Sequence, residues 1–209
     1  MNKKIIKLLS CLIPNKKLRR RFRNKHCSSL IYDKGLNNKF ILLDEDGNVT
    51  DEKYIQNLEV SFEGDNNTVI LYKNLSLRAP FQIKCTDENI VKIGNTHKVN
   101  KITMPGFMAK GFSVVIGDNF WGVDVDIIAH NEPNLSVKIG DECMFSHDVV
   151  IRPSDGHTIY DEISGEILNQ PQNIIIGNHC WLAAYVKVLK GANIPDNSVV
   201  GLGSIYTKS

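Results

Sequence analysis

The residue type best suited to acid–base chemistry in this sequence is histidine, which occurs six times. Neutral imidazole, with an ordinary pKa of about 6.5, takes up a proton near neutral pH and can return it in the same reaction cycle. One histidine, His157, lies in the segment IRPSDGHTIYD, two residues after Asp155. The five cysteines are scattered without a CxxC pair and indicate neither a disulfide framework nor a zinc knuckle. Which histidine can act depends on the elements that position it.

A repeat of 23 residues organises the middle of the chain. Ile-Gly pairs occur at 93–94, 116–117 and 139–140, each with a valine two places before the isoleucine, and Ile70 extends the spacing one step toward the N-terminus. The next pair, at 176–177, follows after 37 residues. About 14 additional residues are therefore inserted before it, and His157 lies within this insertion.

Toward the C-terminus the period shortens to six residues. Such a period fits neither a helix face nor a single alternating strand, since Gly, Pro, Asn and Asp recur between the aliphatic residues. It predicts a solenoid in which each hexad forms one short strand, turns a corner and points one aliphatic side chain into a shared interior. These side chains are Ile176, Leu182, Val188, Ile194 and Val200. The longer upstream coils should be looser or should carry small projecting loops; an irregular β-sandwich with chance spacing is the alternative.

The order of these motifs resembles that of the hexapeptide-repeat acyltransferases, and in particular the bacterial surface-polysaccharide and galactoside-type O-acetyltransferases. The resemblance covers roughly residues 60–207 and rests on IGDECMFSHDVVIRPSDGHTIYD followed by IIIGNHCWLAAYVKVLKGANIPDNSVVGLGSIYTKS. It implies an all-β fold, a left-handed parallel β-helix with an inserted active-site loop at about residues 152–173. It also implies a homotrimer with active sites between subunits. One departure is Ala183, where the family more often has Gly.

The same resemblance implies direct transfer of an acetyl group from acetyl-CoA to a sugar hydroxyl. One histidine then deprotonates the alcohol and reprotonates the departing thiolate. His157 matches the family's catalytic histidine and is the one histidine that enters the insertion directly from a hexad. Asp155 would support its imidazole, or would simply form the turn before Gly156. Trp181 matches a family tryptophan beside the reacting centre, although a core position is the alternative.

The other histidines are separated by position. His26 belongs to the basic N-terminal segment, whereas His97 and His179 lie in hexads where outward, solvated positions are expected. Residues near coil turns could line a cleft, and we expect three of them to contact the acceptor sugar: His130, His147 and Asp148. No metal site is predicted.

The pantetheine arm of CoA suits a groove with small residues and exposed backbone, whereas its nucleotide phosphates need cations. From the resemblance we expect cofactor contacts at Ala183, Ala184, Lys190, Gly201, Leu202, Gly203 and Lys208. For either lysine, a solvated surface position is the alternative.

Other functions remain open at this stage. One is N-acetylation of a nucleotide-linked amino sugar, although relatives with that activity often carry a dinucleotide-type domain and no GxGxxG motif follows a strand here. Acetylation of a xenobiotic is a further enzymatic alternative. The non-enzymatic alternative is a structural scaffold, in which His130, His147 and His157 would converge on one metal ion.

The first 25 residues hold ten Lys and Arg but no Asp or Glu, so the net charge of +2 conceals a strong asymmetry. The apolar run at 5–13 is interrupted by Lys7, is far shorter than the ~20 residues of a membrane span and precedes no cleavage site. We therefore expect a short basic helix that contacts the anionic cytoplasmic face of a membrane. Capping of the solenoid is the alternative, and nucleic acid is a less favoured partner.

These observations divide the chain into a basic amphipathic segment at 1–26, an irregular lead-in at 27–60 and the β-helix at 61–209. Within the lead-in, KFILLDEDGNVT predicts two short strands around the turn Asp46-Gly47. The scattered cysteines favour a reducing, cytoplasmic compartment.

Overall fold

The computed structural model describes residues 8–15, 18–19, 30–52, 54–104, 108–128 and 132–208. Helical backbone occurs at 8–11 and 18–19. Among the residues that the structure describes, no helix has the length and apolar character that a membrane crossing requires. Twenty short strands account for the regular structure of the rest: β1 (Leu30–Asp33), β2 (Lys39–Leu43), β3 (Leu58–Phe62), β4 (Thr68–Tyr72), β5 (Phe81–Cys85), β6 (Ile90–Ile93), β7 (Lys98–Val99), β8 (Ile102–Thr103), β9 (Ser113–Ile116), β10 (Trp121–Gly122), β11 (Val125–Ile127), β12 (Ser136–Ile139), β13 (Met144–Phe145), β14 (Val149–Arg152), β15 (Ile174–Ile176), β16 (Trp181–Leu182), β17 (Lys187–Leu189), β18 (Asn193–Ile194), β19 (Val199–Val200) and β20 (Ile205–Tyr206).

The strands stack into parallel ladders that form the three faces of a prism. The first face is the ladder β2-β4-β6-β9-β12-β15-β18, the second is β7-β10-β13-β16-β19, and the third is β8-β11-β14-β17-β20. A further ladder, β1-β3-β5, belongs to the N-terminal coils. Because the chain visits the three faces in turn and each strand pairs in parallel with the strand one coil later, the fold is a parallel β-helix.

The interior is filled by one aliphatic ladder from each face. On the first face the register joins Ile93, Ile116 and Ile139, which confirms the 23-residue repeat over these coils. The five aliphatic residues of the C-terminal hexads are also buried. Burying a side chain of this size contributes about 1.5–3 kcal/mol, so the stacked aliphatic residues supply the main driving force for coiling.

The N-terminal end of the repeat differs from its prediction. Val69 pairs with Val91 and Ile70 with Lys92, so this step measures 22 residues. The buried residues of β4 are Val69 and Leu71, while Ile70 lies on the outer side. The extension of the 23-residue spacing to Ile70 was therefore wrong, because a shift of one residue in a strand reverses which side chains face the core.

Parallel stacking begins well before residue 61. In β1, Leu30 pairs with Glu59, and in β2, Lys39 pairs with Thr68, so much of the segment at 27–60 already belongs to the coils. The turn at Asp46-Gly47 is present, with an antiparallel bridge between Leu43 and Val49. The Asp44 carboxylate closes this turn by accepting the backbone N–H groups of residues 46 and 48.

The corner between the first and second faces is built from Ile-Gly-Asx sequences. The Asp or Asn side chain of each coil accepts a hydrogen bond of 2.6–2.9 Å from a backbone N–H of the previous coil. The four pairs, with the backbone donor first and the side-chain acceptor second, are Asn95 and Asp118, Asp118 and Asp141, Asp141 and Asn178, and Asn178 and Asp196. The residue before each donor is glycine, and the acceptor oxygen occupies the space that a Cβ at this position would fill. We call this set the Gly–Asx ladder: Gly94, Gly117, Gly140, Gly177 and the four acceptors.

The corner between the third and first faces, called here the loop corner, carries the long connections. Residues 104–112 join β8 to β9, residues 128–135 join β11 to β12, and residues 153–173 join β14 to β15. By contrast, β17 and β18 are joined by the three residues 190–192. The additional residues of the 23-residue coils thus lie in connections at the same corner as the long insertion.

We expect Gly117→Ala to destabilise the fold, because an added Cβ would lie 2.7 Å from the backbone N of Asp141 and closer still to its carboxylate. Overpacking of this kind costs about 2 kcal/mol, or a fall in Tm of about 4–8 °C for a chain of this size. Thermal unfolding followed by circular dichroism measures it. The matched control is Gly201→Ala, where the nearest atom to an added Cβ is Ser204 Oγ at 3.7 Å. Equal losses in the two variants would contradict the proposed crowding.

Candidate active site

The inserted loop, residues 153–173, forms a small hairpin at the loop corner. Tyr160 and Ile167 make an antiparallel bridge, and the carboxylate of Asp161 accepts the backbone N–H groups of residues 163 and 164 at the tip. The apolar side chains of the loop point outward, with Ile163 98% exposed. Apolar groups held in solvent on an ordered hairpin mark a surface that another molecule can cover.

The base of the loop is fixed by an ion pair that closes across 35 residues. Lys190 Nζ donates to Asp155 Oδ2 and also to the backbone carbonyl of Asn169, at 3.0 Å. The Lys190 ammonium, and secondly the Asn169 amide, hold the pKa of Asp155 below its usual range. The Asp155 carboxylate therefore anchors the base of the loop through Lys190 and Asn169.

The imidazole of His157 is exposed to solvent. The backbone carbonyl of His157 accepts a hydrogen bond of 2.7 Å from Asn169 Nδ2. No residue in the described part of the chain makes a hydrogen bond with its ring. The backbone of this histidine is therefore held, while both ring nitrogens remain accessible to a reactant.

A second histidine lies at the corner between the second and third faces, which we call the Ala corner. His147 Nδ1 is 2.9 Å from Asp148 Oδ2, and its ring packs edge-on against Tyr185 with centroids 4.8 Å apart. A carboxylate on Nδ1 fixes the tautomer that leaves Nε2 as a proton acceptor. By geometry alone, this exposed dyad is a second candidate base.

The Ala corner also holds the small residues expected to border the cofactor. Ala184 is buried, Gly201 and Gly203 are exposed, and Leu202 projects into solvent. The backbone N–H of Gly203 donates to the Ala184 carbonyl at 2.9 Å, and no atom lies within 4 Å of where its Cβ would be. Its φ of 71° is one that glycine adopts readily. This arrangement leaves open space along the backbone, bordered by Ala183 and Ala184.

Trp181 points outward from β16 and is 46% exposed. Its neighbours in register on the same face are Met144 and Val199, and the next coil back contributes Trp121. All four are exposed apolar side chains, and we call them the Trp ladder. Because they stack along the helix axis, they form one continuous apolar stripe on the second face.

The predicted site residues thus fall into two groups. His157, Asp155 and Lys190 lie at the loop corner. Lys208 lies there too, because its Cβ is 3.3 Å from the position that a Cβ on Gly191 would occupy. The other group is at the Ala corner and on the second face: His147, Asp148, Trp181, Ala183, Ala184, Gly201, Leu202 and Gly203. The third face separates them, and one of its strands, β14, is four residues or about 13 Å long.

Two expectations stay untested: contact of His130 with the acceptor, and the alternative in which three histidines hold a metal ion. His130 lies outside the described residues. Within the described ranges, no three His, Cys, Asp or Glu side chains are grouped as metal ligands would be.

Sequence reasoning did not identify Asn169 or Tyr185. Nothing in the spacing of Asn169 marks it, because its partners at 155, 157 and 159 come from the opposite side of the hairpin. Tyr185 does carry a signal in its position, four residues after Trp181 and beside the two alanines. Its φ of 62° places it at the turn that brings it against His147.

Comparison with known proteins identifies relatives of part of the chain, although no model of a known protein family matches the sequence. The polysialic acid O-acetyltransferase of Neisseria meningitidis is 30% identical over 152 residues, which cover 63% of this chain and 69% of that protein. The polysialic acid O-acetyltransferase of Escherichia coli O1:K1 / APEC is 34% identical over 113 residues, or 54% of this chain. The chain spans 36% of the length of that second relative.

A solved structure shows the same architecture. The crystal structure of the polySia-specific acetyltransferase NeuO superposes with a TM-score of 0.65 at 28% sequence identity, covering 85% of this chain and 71% of that one. This likeness confirms the predicted left-handed parallel β-helix. Together, the stacked hexads, the inserted loop and the extent of the match to the Neisseria protein establish that the chain belongs to the hexapeptide-repeat O-acetyltransferase family.

Proposed function

We propose that this protein is an acetyl-CoA-dependent O-acetyltransferase that modifies a sugar hydroxyl of a bacterial surface polysaccharide or its precursor. The observation that carries the proposal is the exposed imidazole of His157 on a loop whose base is fixed by Lys190 and Asp155. Relatives named polysialic acid O-acetyltransferases support a capsule-type polysaccharide as the acceptor.

In the proposed reaction, the neutral His157 ring takes the proton of the acceptor hydroxyl. The oxygen attacks the thioester carbonyl, the carbon–sulfur bond breaks, and the imidazolium returns its proton to the CoA thiolate. No acyl-enzyme is needed. Burial raises the pKa of the Cys85 thiol to about 12 and that of Cys143 to about 11, so neither is a thiolate nucleophile near neutral pH.

We further propose that each active site forms between two copies in a homotrimer. The loop corner of one copy would supply His157, and the second face and Ala corner of the next copy would supply Trp181 and the open backbone near Gly203. Two observations support this: the third face separates the two groups within one chain, and the Trp ladder and the loop both expose apolar side chains. A second copy covers both apolar surfaces at once.

The basic N-terminal segment supports a location at the cytoplasmic face of a membrane. Leu8, Leu9 and Leu12 are exposed around the helical residues 8–11, within a segment of ten cations and no acids. Shallow insertion of the leucines and attraction to anionic headgroups, about 1 kcal/mol per basic residue, would act together. Acetyl-CoA and a lipid-linked acceptor would meet there.

The first experiment measures release of free thiol from acetyl-CoA with polysialic acid, β-galactosides and amino sugars as acceptors. We expect acceptor-dependent release, and a fall in kcat of about 100-fold or more in His157→Ala because the base is lost. His97→Ala is the matched control, since His97 is an exposed histidine of a hexad. Retained activity in His157→Ala together with loss in His147→Ala would instead assign the base to the His147–Asp148 dyad.

The shared site predicts complementation between two inactive variants. Copies carrying His157→Ala and copies carrying Trp181→Ala are mixed and allowed to exchange subunits. Random assortment should restore intact sites at about one interface in four, hence about a quarter of wild-type activity, because each interface takes one residue from each neighbour. Each variant alone, treated identically, is the control. Mixed oligomers seen by native mass spectrometry without recovered activity would refute a site shared between copies.

Membrane contact predicts that the full chain co-sediments with phosphatidylglycerol vesicles and not with phosphatidylcholine vesicles, and that salt weakens this binding. Replacing Arg19, Arg20, Arg21 and Arg23 with Gln should remove most of it while leaving thiol release intact. The matched control replaces four lysines of the β-helix, Lys92, Lys138, Lys187 and Lys73. Equal binding of the arginine variant and the wild type would contradict this role for the segment.

A further inference from the structure

The Asn169 side chain makes three hydrogen bonds to the opposite side of the inserted loop. Its Nδ2 donates to Asp155 Oδ2 at 2.9 Å and to the backbone carbonyl of His157 at 2.7 Å. Its Oδ1 accepts the backbone N–H of Ile159 at 2.7 Å. The partners fix which end of the amide is nitrogen, since two are acceptors and the third is a donor.

These bonds enclose the segment that carries His157. The bonds to Asp155 and Ile159 lie two residues before and two residues after the histidine, and the third bond is made by the histidine's own backbone. Lys190 then ties both Asp155 and the Asn169 carbonyl to the corner after β17. The backbone of residues 155–159 is thus connected to the rigid β-helix through Asn169 and the ion pair.

We infer that Asn169 is a positioning residue, which sets the orientation of His157 toward the acceptor hydroxyl. This inference rests on the proposed function. An imidazole on an exposed loop has many orientations, and a shift of about 1 Å in a reacting group can lower a rate by about 100-fold. Asn169 limits those orientations by holding the backbone on both sides of the ring without occupying the ring nitrogens.

The alternative is that Asn169 only stabilises the hairpin. The two roles predict different results for kcat. A stabilising role would lower Tm and leave the kcat of the folded enzyme unchanged. A positioning role lowers kcat while Tm and the KM for acetyl-CoA stay close to wild type.

The experiment compares thiol release, Tm and amide deuterium exchange in wild type, Asn169→Ala and Asn169→Asp. For Asn169→Ala we expect kcat to fall about 10- to 100-fold, with the KM for acetyl-CoA within about twofold. Deuterium exchange at residues 157–159 should become faster, because the bond that protects the Ile159 N–H is gone. The matched control is Gln170→Ala, which truncates the adjacent exposed amide and should leave all three measurements unchanged.

Asn169→Asp supplies a pH-dependent readout. It retains an acceptor for Ile159 but places a second carboxylate beside that of Asp155, so the two repel near neutral pH. Because a proton shared between two carboxylates restores a donor, the activity of this variant relative to wild type should rise as the pH falls.

The outcomes separate the two hypotheses. An active wild type, an inactive His157→Ala and a fully active Asn169→Ala would overturn the positioning role and leave the proposed function standing. A fall in Tm without a fall in kcat would also overturn it. Absence of acceptor-dependent thiol release in the wild type would overturn both.

Discussion

Every coil in the middle and C-terminal part of the β-helix is placed relative to the next by an Asx side chain that accepts a backbone N–H from the previous coil. This bond requires glycine beside it, since a Cβ at Gly117 or Gly140 would overlap the neighbouring coil. The inward aliphatic residues follow from the same constraint: once the corner is in register, Ile116 and Ile139 stack directly. With one corner fixed in this way, the loop corner can accept insertions of different length without disturbing the stack.

The parts of the fold that could be predicted are those that repeat. Ile-Gly pairs and hexads recur, so each occurrence supports the others, and the long insertion appears as a break in a known spacing. The errors lie where the repeat is weakest. Ile70 has no glycine after it, and the step of 22 residues there moves Val69 and Leu71 inward instead. The strand β1 lies in a coil whose Gly and Asx residues do not follow Ile, so the hexad pattern did not reveal it. The strand β2 was predicted beside the Asp46-Gly47 turn, but not as part of a coil.

Only part of the candidate site could be predicted from the sequence, because the charged residues that pair within it are far apart in the chain. Asp155 precedes Gly156, a pattern equally typical of a turn, and its cationic partner is 35 residues away. That partner, Lys190, was expected to face cofactor phosphates, yet in this chain its charge is already matched by a carboxylate. A surface ion pair contributes little to stability by itself, a fraction of 1 kcal/mol in most cases. Its effect here is local, because it attaches the loop to the β-helix at the point from which His157 projects.

The solenoid gives a physical reason for the proposed site between two copies. Each face of the prism is a flat ladder of short strands, and a flat surface cannot surround a thin ligand on several sides. The loop corner offers an imidazole on a hairpin, and the Ala corner with the adjoining second face offers open backbone and the exposed ring of Trp181. Within one chain they point in different directions, separated by the third face. In the proposed trimer, side-by-side packing around an axis parallel to that of the β-helix would turn the loop of one copy toward the Ala corner of the next, so the cleft that a single β-helix lacks would arise from symmetry.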